Sequence, residues 1–208
     1  MYDFIADLDG YFCDMYANYD KLCILPGYVM PLMQRSERGE DGKMRAYTLP
    51  ADTMRLSNQE KKDELLVELK KKMVDTTFSF SFRPLGFFAR INRRFSKFAV
   101  HKHLKAMLAK YGISEAEALE QLSIDPEIWT GICKGKFEPS KNLIYSLALT
   151  AQFSYDDTQR LMQLCGYEMN LALVKDVVMS YLLHKKVYNR DMIDAALSEY
   201  KVTNLFIK

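Results

Sequence analysis

No two of the four cysteines, Cys13, Cys23, Cys133 and Cys165, stand in a CxxC pair, and the three histidines, His101, His103 and His184, keep no ligand spacing with them. Structural zinc needs clustered thiolates and imidazoles, so a metal site is not expected and buried thiols in a reducing cytoplasm are. The opening MYDFIADLDGYF has no basic n-region and carries Asp3, Asp7 and Asp9, which argues against a secretory leader. No apolar run approaches the ~20 residues that span a bilayer, so no membrane association is expected. GxGxxG, GxxxxGK[ST] and GxSxG are absent, and no serine or cysteine has a histidine partner evident in sequence. Neither an enzyme nor a cofactor is expected. No heptad seam is visible, and the oligomeric state stays open.

Charge is close to balance, at a formal +2, yet unevenly spread. Residues 1–75 hold eleven basic and fourteen acidic residues, residues 115–208 ten and thirteen, and residues 76–114 eight and none. The acid-free zone begins with Phe78, Phe80 and Phe82 alternating with serines, the period of an extended segment, which Pro84 and Gly86 interrupt. From about Phe87 to Tyr111 the period becomes helical. Phe88, Ile91, Phe95, Phe98 and Ala99 fall on one stripe, Leu104, Met107 and Leu108 continue it, and Arg90, Arg93, Arg94 and Lys97 lie mostly opposite. Such a face is either a solvated surface offsetting acids elsewhere or an electrostatic footprint for a phosphate backbone. The phenylalanines could stack on unpaired bases, but at helical spacing a core role is preferred.

Helix boundaries are explicit after residue 113. Ser114 and Glu117 form a capping box that opens a helix through Ala118, Leu119 and Leu122. Ser123-Ile124-Asp125 is a turn. Asp125 caps a second helix with Pro126 at its first position, running to about Cys133, burying Ile128 and Ile132 and stopping at Gly135. Glu138-Pro139-Ser140 opens a third, with Leu143, Ile144, Leu147 and Leu149 inward. Ser154 and Asp157 are a second capping-box candidate for a helix that ends at Gly166. Two more helices are expected, at about Leu171–Leu183 and, capped by Asn189, Arg190–Tyr200.

The order helix, turn, helix, basic loop, leucine-rich helix resembles the lambda-repressor-like (Cro/repressor, XRE) helix-turn-helix domain. The resemblance is carried by Ala118, Ile124, Ile128, Trp129, Lys134-Gly135-Lys136, Pro139 and Leu143 to Leu149, and covers roughly Phe98 to Gly166, about a third of the chain. Residues Asp176 to Tyr200 are similar to a helical extension of uncharacterised bacterial proteins. The resemblance implies a cytoplasmic bacterial or phage-borne regulator that binds double-stranded DNA with its second helix in the major groove. That helix departs from the pattern: it begins Asp125-Pro126-Glu127 and carries no Arg, Asn or Gln for bidentate base contacts. The candidate nucleic-acid contacts are therefore mainly to phosphate: Arg90, Arg93, Arg94, Lys97, Thr130, Lys134, Lys136 and Lys141. Trp129 is read as a core or interdomain residue.

The expected fold is mainly α. Residues 1–86 would form a smaller mixed region, and residues 87–208 a helical domain with the helix-turn-helix at about 114–152 and a two-helix extension. In the first region Asp3 to about Asn18 is helical, with Phe4, Ile5, Leu8, Phe12 and Met15 or Tyr16 inward. Tyr28-Val29-Met30 and Arg45 to Leu49 would flank the loop RSERGEDGK as a β-hairpin, and Ser57 with Glu60 would cap a helix to about Met73. Asp7, Asp9 and Asp14 invite a metal or phosphotransfer reading, because DLDG resembles the start of an aspartate-based phosphatase loop. No βαβ pattern follows, so surface carboxylates are preferred. Three functions remain in order: a DNA-binding regulator, a protein-interaction or inhibitor module on a helix-turn-helix scaffold, and last an enzyme with an amino-terminal site.

Overall fold

The computed structural model describes residues 4–17, 34–39, 41–48, 83–88, 99–171, 173–202 and 205–208. Its architecture is mainly helical. The chain divides into two compact units, Met1–Val74 with Asn170–Val177, and Asp75–Met169 with Val178–Lys208.

In the first unit, helix α1 spans Phe4–Ala17. Leu8, Phe12 and Cys13 are buried, the i, i+4, i+5 spacing of a single face, while Asp14 is exposed. Phe4, Ile5 and Met15 are half-buried. Strands β1 (Gln34–Arg38) and β2 (Met44–Thr48) pair antiparallel, Gln34 facing Thr48 and Arg38 facing Met44. The expected loop is thus shorter than RSERGEDGK, because Arg35 to Arg38 belong to a strand. The reversal is made by backbone and carboxylate groups that hydrophobic alternation does not report. Gly39 N–H donates to Lys43 O at 2.9 Å, Gly42 N–H donates to Gly39 O at 2.8 Å, and Asp41 accepts from Lys43 N–H and Arg45. Gly42 holds φ +75°, which glycine adopts at little cost. The Tyr28–Met30 arm and the Ser57–Met73 helix lie outside the described residues, as do Phe78, Phe80 and Phe82.

Among the described residues the second unit holds five successive helices: α2 (Val100–Lys110), α3 (Glu115–Gln121), α4 (Pro126–Cys133), α5 (Lys141–Thr150) and α6 (Tyr155–Leu164). Two more follow, α7 (Val174–His184), whose first four residues belong to the first unit, and α8 (Arg190–Glu199), capped by Asn189. A short antiparallel bridge joins β3 (Arg83–Pro84) to β4 (Phe137–Glu138).

Helix α2 starts later than the sequence period implied. Ala99 is extended (φ −66°, ψ 121°), so one continuous helix from Phe87 to Tyr111 is not formed. Apolar spacing carries across such a break because it registers side chains rather than backbone angles. Phe88 is also not on a buried stripe: it is 80% exposed and Phe87 71%.

Helix α5 is the centre of this unit. Every residue from Asn142 to Leu149 is buried, and α5 packs against α3 and α6, while α2 packs against α4 and α6. The buried Ser146 hydroxyl on α5 is accommodated by bonding. Ser146 Oγ donates to Asn142 O at 2.9 Å and accepts from Phe206 N–H at 2.8 Å. The C-terminal residues also run along the α3–α4 connection, where Ser123 N–H donates to Phe206 O and Lys208 N–H to Gln121 O, each at 3.2 Å. This strap uses backbone groups almost alone and has no sequence signature.

The caps follow the sequence closely. Ser114 Oγ accepts from Glu117 N–H at 3.1 Å, and Glu117 accepts from Ser114 N–H at 2.7 Å. Ser140 and Ser154 cap α5 and α6. At α6 the expected reciprocal box is half made. The Asp157 carboxylate turns away to Lys110 Nζ at 2.5 Å and Tyr111 Oη at 2.6 Å, and Tyr111 Oη takes its place in accepting from Ser154 N–H at 2.8 Å.

Candidate nucleic-acid interface

Helix α4 and the loop behind it hold most of the described candidate contacts. Its start is fixed by Asp125, whose Oδ1 accepts from Glu127 N–H at 2.7 Å and Ile128 N–H at 3.2 Å, with Pro126 in the first turn. A carboxylate seated there already satisfies donors that a helix N-terminus could offer to a phosphate. The end is a Schellman motif. Gly135 N–H donates to Ile132 O and Lys136 N–H to Gly131 O at 2.7 Å, with Gly135 at φ +70°. The His101 ring lies against this glycine, 2.7 Å from where a Cβ would stand.

The inner face of α4 is Trp129, Ile132 and Cys133, all buried. Ile128, expected inside, is half-buried, and Trp129 holds the core position beside Ile132. The Trp129 indole N–H donates to Glu115 O at 3.0 Å, so a single side chain ties α4 to the start of α3. The outer face is Glu127, Thr130 and Lys134, spaced three and four apart and all exposed, with exposed Lys136 just beyond. Lys134 and Lys136 stand at the end of the helix where its dipole favours cations.

The other candidates are placed differently. Lys141 is half-buried; its Nζ donates to Glu168 O at 2.8 Å and lies 5.8 Å from the centroid of the Tyr145 ring. Arg90, Arg93, Arg94 and Lys97 lie outside the described residues. Lys105 is engaged by Glu115 at 2.9 Å, which raises the pKa of the lysine and lowers that of the acid, chiefly through that hydrogen bond. Beside this pair burial, and then the Glu115 carboxylate, push the Cys133 thiol up to about 12, which suits a packed thiol rather than a nucleophile. The His101 pKa is lowered by burial first and then by Lys102 and Lys105, which disfavours its charged form.

One feature was missed by sequence reasoning. Beside α4 lies an open depression of about 740 Å³, lined by Asp125 to Ile128, Thr130, Gly131, Lys136 and Phe137. In its wall Gly131 lets the Phe137 ring approach the helix closely: a Cβ there would stand 2.3 Å from Phe137 Cδ2. A glycine inside a short capped helix was the available signal.

Among the described residues no group of histidine, cysteine and acidic side chains could hold a metal ion, and no helix is long and apolar enough to cross a membrane. Asp7 and Asp9 are half-buried on α1 and Asp14 is exposed. Ser180 Oγ lies 3.3 Å from His184 Nδ1, but Ser180 is 2% exposed and the ring nitrogen is also 2.8 Å from Ser180 O, a helix-internal arrangement closed to substrate. No family model, curated protein or solved structure matches this chain.

Proposed function

We propose that the chain is a helix-turn-helix protein that binds duplex DNA, with α3 and α4 as the unit and phosphate-backbone contacts dominant, in a regulatory role. The observation that carries the reading is α4 itself. It is a short helix fixed at both ends, anchored inward by Trp129 and Ile132, and it presents Thr130, Lys134 and Lys136 to solvent. Asp125 is consumed as a cap and Glu127 is acidic, so base reading by the start of α4 is weak and affinity falls to the cations at its end. Arg90, Arg93, Arg94 and Lys97 add charge from the acid-free stretch before it. Lys141 contributes less, since its ammonium already has a carbonyl partner.

Anisotropy titration of a labelled random-sequence duplex tests this. Binding is expected at ~50 mM salt and weakens steeply by ~200 mM through counterion release. Lys134→Glu with Lys136→Glu should remove it. An unbound duplex at the lower salt refutes the proposal.

A second reading is a protein-interaction module that has lost DNA binding. The apolar and acidic depression of Pro126, Glu127, Ile128 and Phe137 favours it. A flat DNA titration would transfer support to that reading.

A further inference from the structure

Phe87 and Phe88 are adjacent, 71% and 80% exposed, and their rings meet edge to face with centroids 5.8 Å apart. Two neighbouring aromatic rings left in water call for an occupant, because each forgoes the burial that an aromatic side chain ordinarily finds. Their place in the fold is set by the β3–β4 bridge. Arg83 faces Glu138, Pro84 faces Phe137, and Leu85 N–H donates to Lys136 O at 3.0 Å. Phe87 lies two residues past Leu85, and two extended residues reach about 7 Å. The aromatic pair is therefore tethered within a short reach of the Lys136 backbone, at the end of α4 that carries the exposed Lys134 and Lys136.

The surrounding charge selects the occupant. Between residues 76 and 114 the chain carries eight basic residues and no acid, so the pair sits within a stretch complementary to a polyanion. An apolar edge flanked by cations is the chemistry with which proteins open a base step: phosphate contacts hold the duplex while a side chain enters between neighbouring bases. We infer that Phe87 and Phe88 form an apolar wedge that inserts at a base step of duplex DNA held by the α4 lysines. This rests on the DNA-binding reading and extends it: the protein would unstack the duplex locally and favour the pyrimidine–purine steps that deform most easily.

The test uses the full chain and a duplex carrying 2-aminopurine, whose fluorescence rises when it is unstacked. Anisotropy on the same duplex reports binding independently. The wild-type chain should bind and brighten the probe severalfold. Phe87→Ala with Phe88→Ala should still bind, within about tenfold, since the lost stacking is offset by unstacking no longer required, and the fluorescence rise should disappear. Phe87→Leu with Phe88→Leu should restore part of it, because any apolar wedge can enter a step. Both rings are exposed, so the far-ultraviolet spectrum and melting curve should not change.

Binding without brightening by the wild type overturns the wedge and leaves the DNA reading intact; absence of binding overturns both. Loss of a dimer in the alanine variant by sedimentation, or loss of binding to phosphatidylserine vesicles, with brightening unchanged, would assign the pair to a second copy of the chain or to a lipid surface.

Discussion

Replacing Gly131 with alanine sets two effects of opposite sign against each other. In an ordinary helix interior, glycine to alanine stabilises by about 0.5–1 kcal/mol, because the unfolded chain loses backbone freedom. Here the added Cβ would stand 2.3 Å from Cδ2, 2.5 Å from Cε2 and 3.6 Å from Cγ of Phe137. Carbon atoms in contact sit about 3.5–4.0 Å apart, and both Cδ2 and Cε2 fall about 1 Å short of that range, so the ring has to shift. Phe137 cannot move alone, since its backbone pairs with Pro84 and its neighbour Lys136 closes the end of α4. Overpacking of this kind costs about 1–3 kcal/mol. The clash wins, and Gly131→Ala should destabilise by about 1–2 kcal/mol, lowering Tm by roughly 2–8 °C for a chain of this size. In a Phe137→Ala background the obstacle is gone, and the same change should stabilise by about 0.5–1 kcal/mol. Urea denaturation of the four proteins in a double-mutant cycle reads the reversal. A stabilising effect in the wild-type background, or equal effects in both, would refute the close approach of ring and glycine.

Asp157→Asn should cost about 1–2 kcal/mol at neutral pH through its bonds to Tyr111 and Lys110, the Lys110 pair adding little because that side chain is 61% exposed. Hydrogen bonds from Lys110 and then Tyr111 hold the Asp157 pKa below its ordinary 3.8, so its stabilisation is complete above about pH 4 and is lost as pH falls through the depressed value; the asparagine variant should have a flatter acid limb in pH-dependent melting. Gly135→Ala should destabilise by about 2 kcal/mol or more, since a left-handed residue costs roughly 1–2 kcal/mol and the His101 ring obstructs the new methyl; urea melts that superimpose on wild type would count against the motif. Deleting residues 205–208 removes the partners of Ser123 N–H, Gln121 O and Ser146 Oγ, at about 0.5–1.5 kcal/mol for each bond, and amide exchange at Ser123 should quicken. Unchanged protection there would show that the strap bears no load.

What the sequence made legible was local. Ser114 with Glu117, Asp125 with Pro126, Ser140, Asn189 and Gly135 each act within a few residues, so residue type and spacing report them directly. What escaped depends on partners far along the chain. Asp157 has the spacing of a reciprocal cap for Ser154, yet its carboxylate is drawn to Lys110 and Tyr111, whose positions only the packing of α2 on α6 decides. The extent of the first strand escaped because Arg35 to Arg38 read QRSER with Gln34, and a wholly polar run has no hydrophobic alternation to display. Phe88 falls on the apolar stripe yet stays 80% exposed, because helical spacing aligns side chains without supplying a surface to cover them.

The same distinction bears on α4. Residue identity established that its start is acidic and its end basic, but only the cap geometry shows what that polarity costs. With Asp125 seated on the first N–H groups, the positive end of the helix dipole is answered from within the chain and draws no external anion. Lys134 and Lys136 sit at the opposite end, where they offset the negative pole of the helix and remain exposed. A duplex meeting this surface would find its attractive charge displaced from the start of α4 to the end, toward the β3–β4 bridge. That displacement argues against the usual approach, in which the first turn of the second helix enters the major groove. It favours contact centred on the loop after α4, which the Leu85 N–H to Lys136 O bond joins to the segment that leads to Phe87 and Phe88.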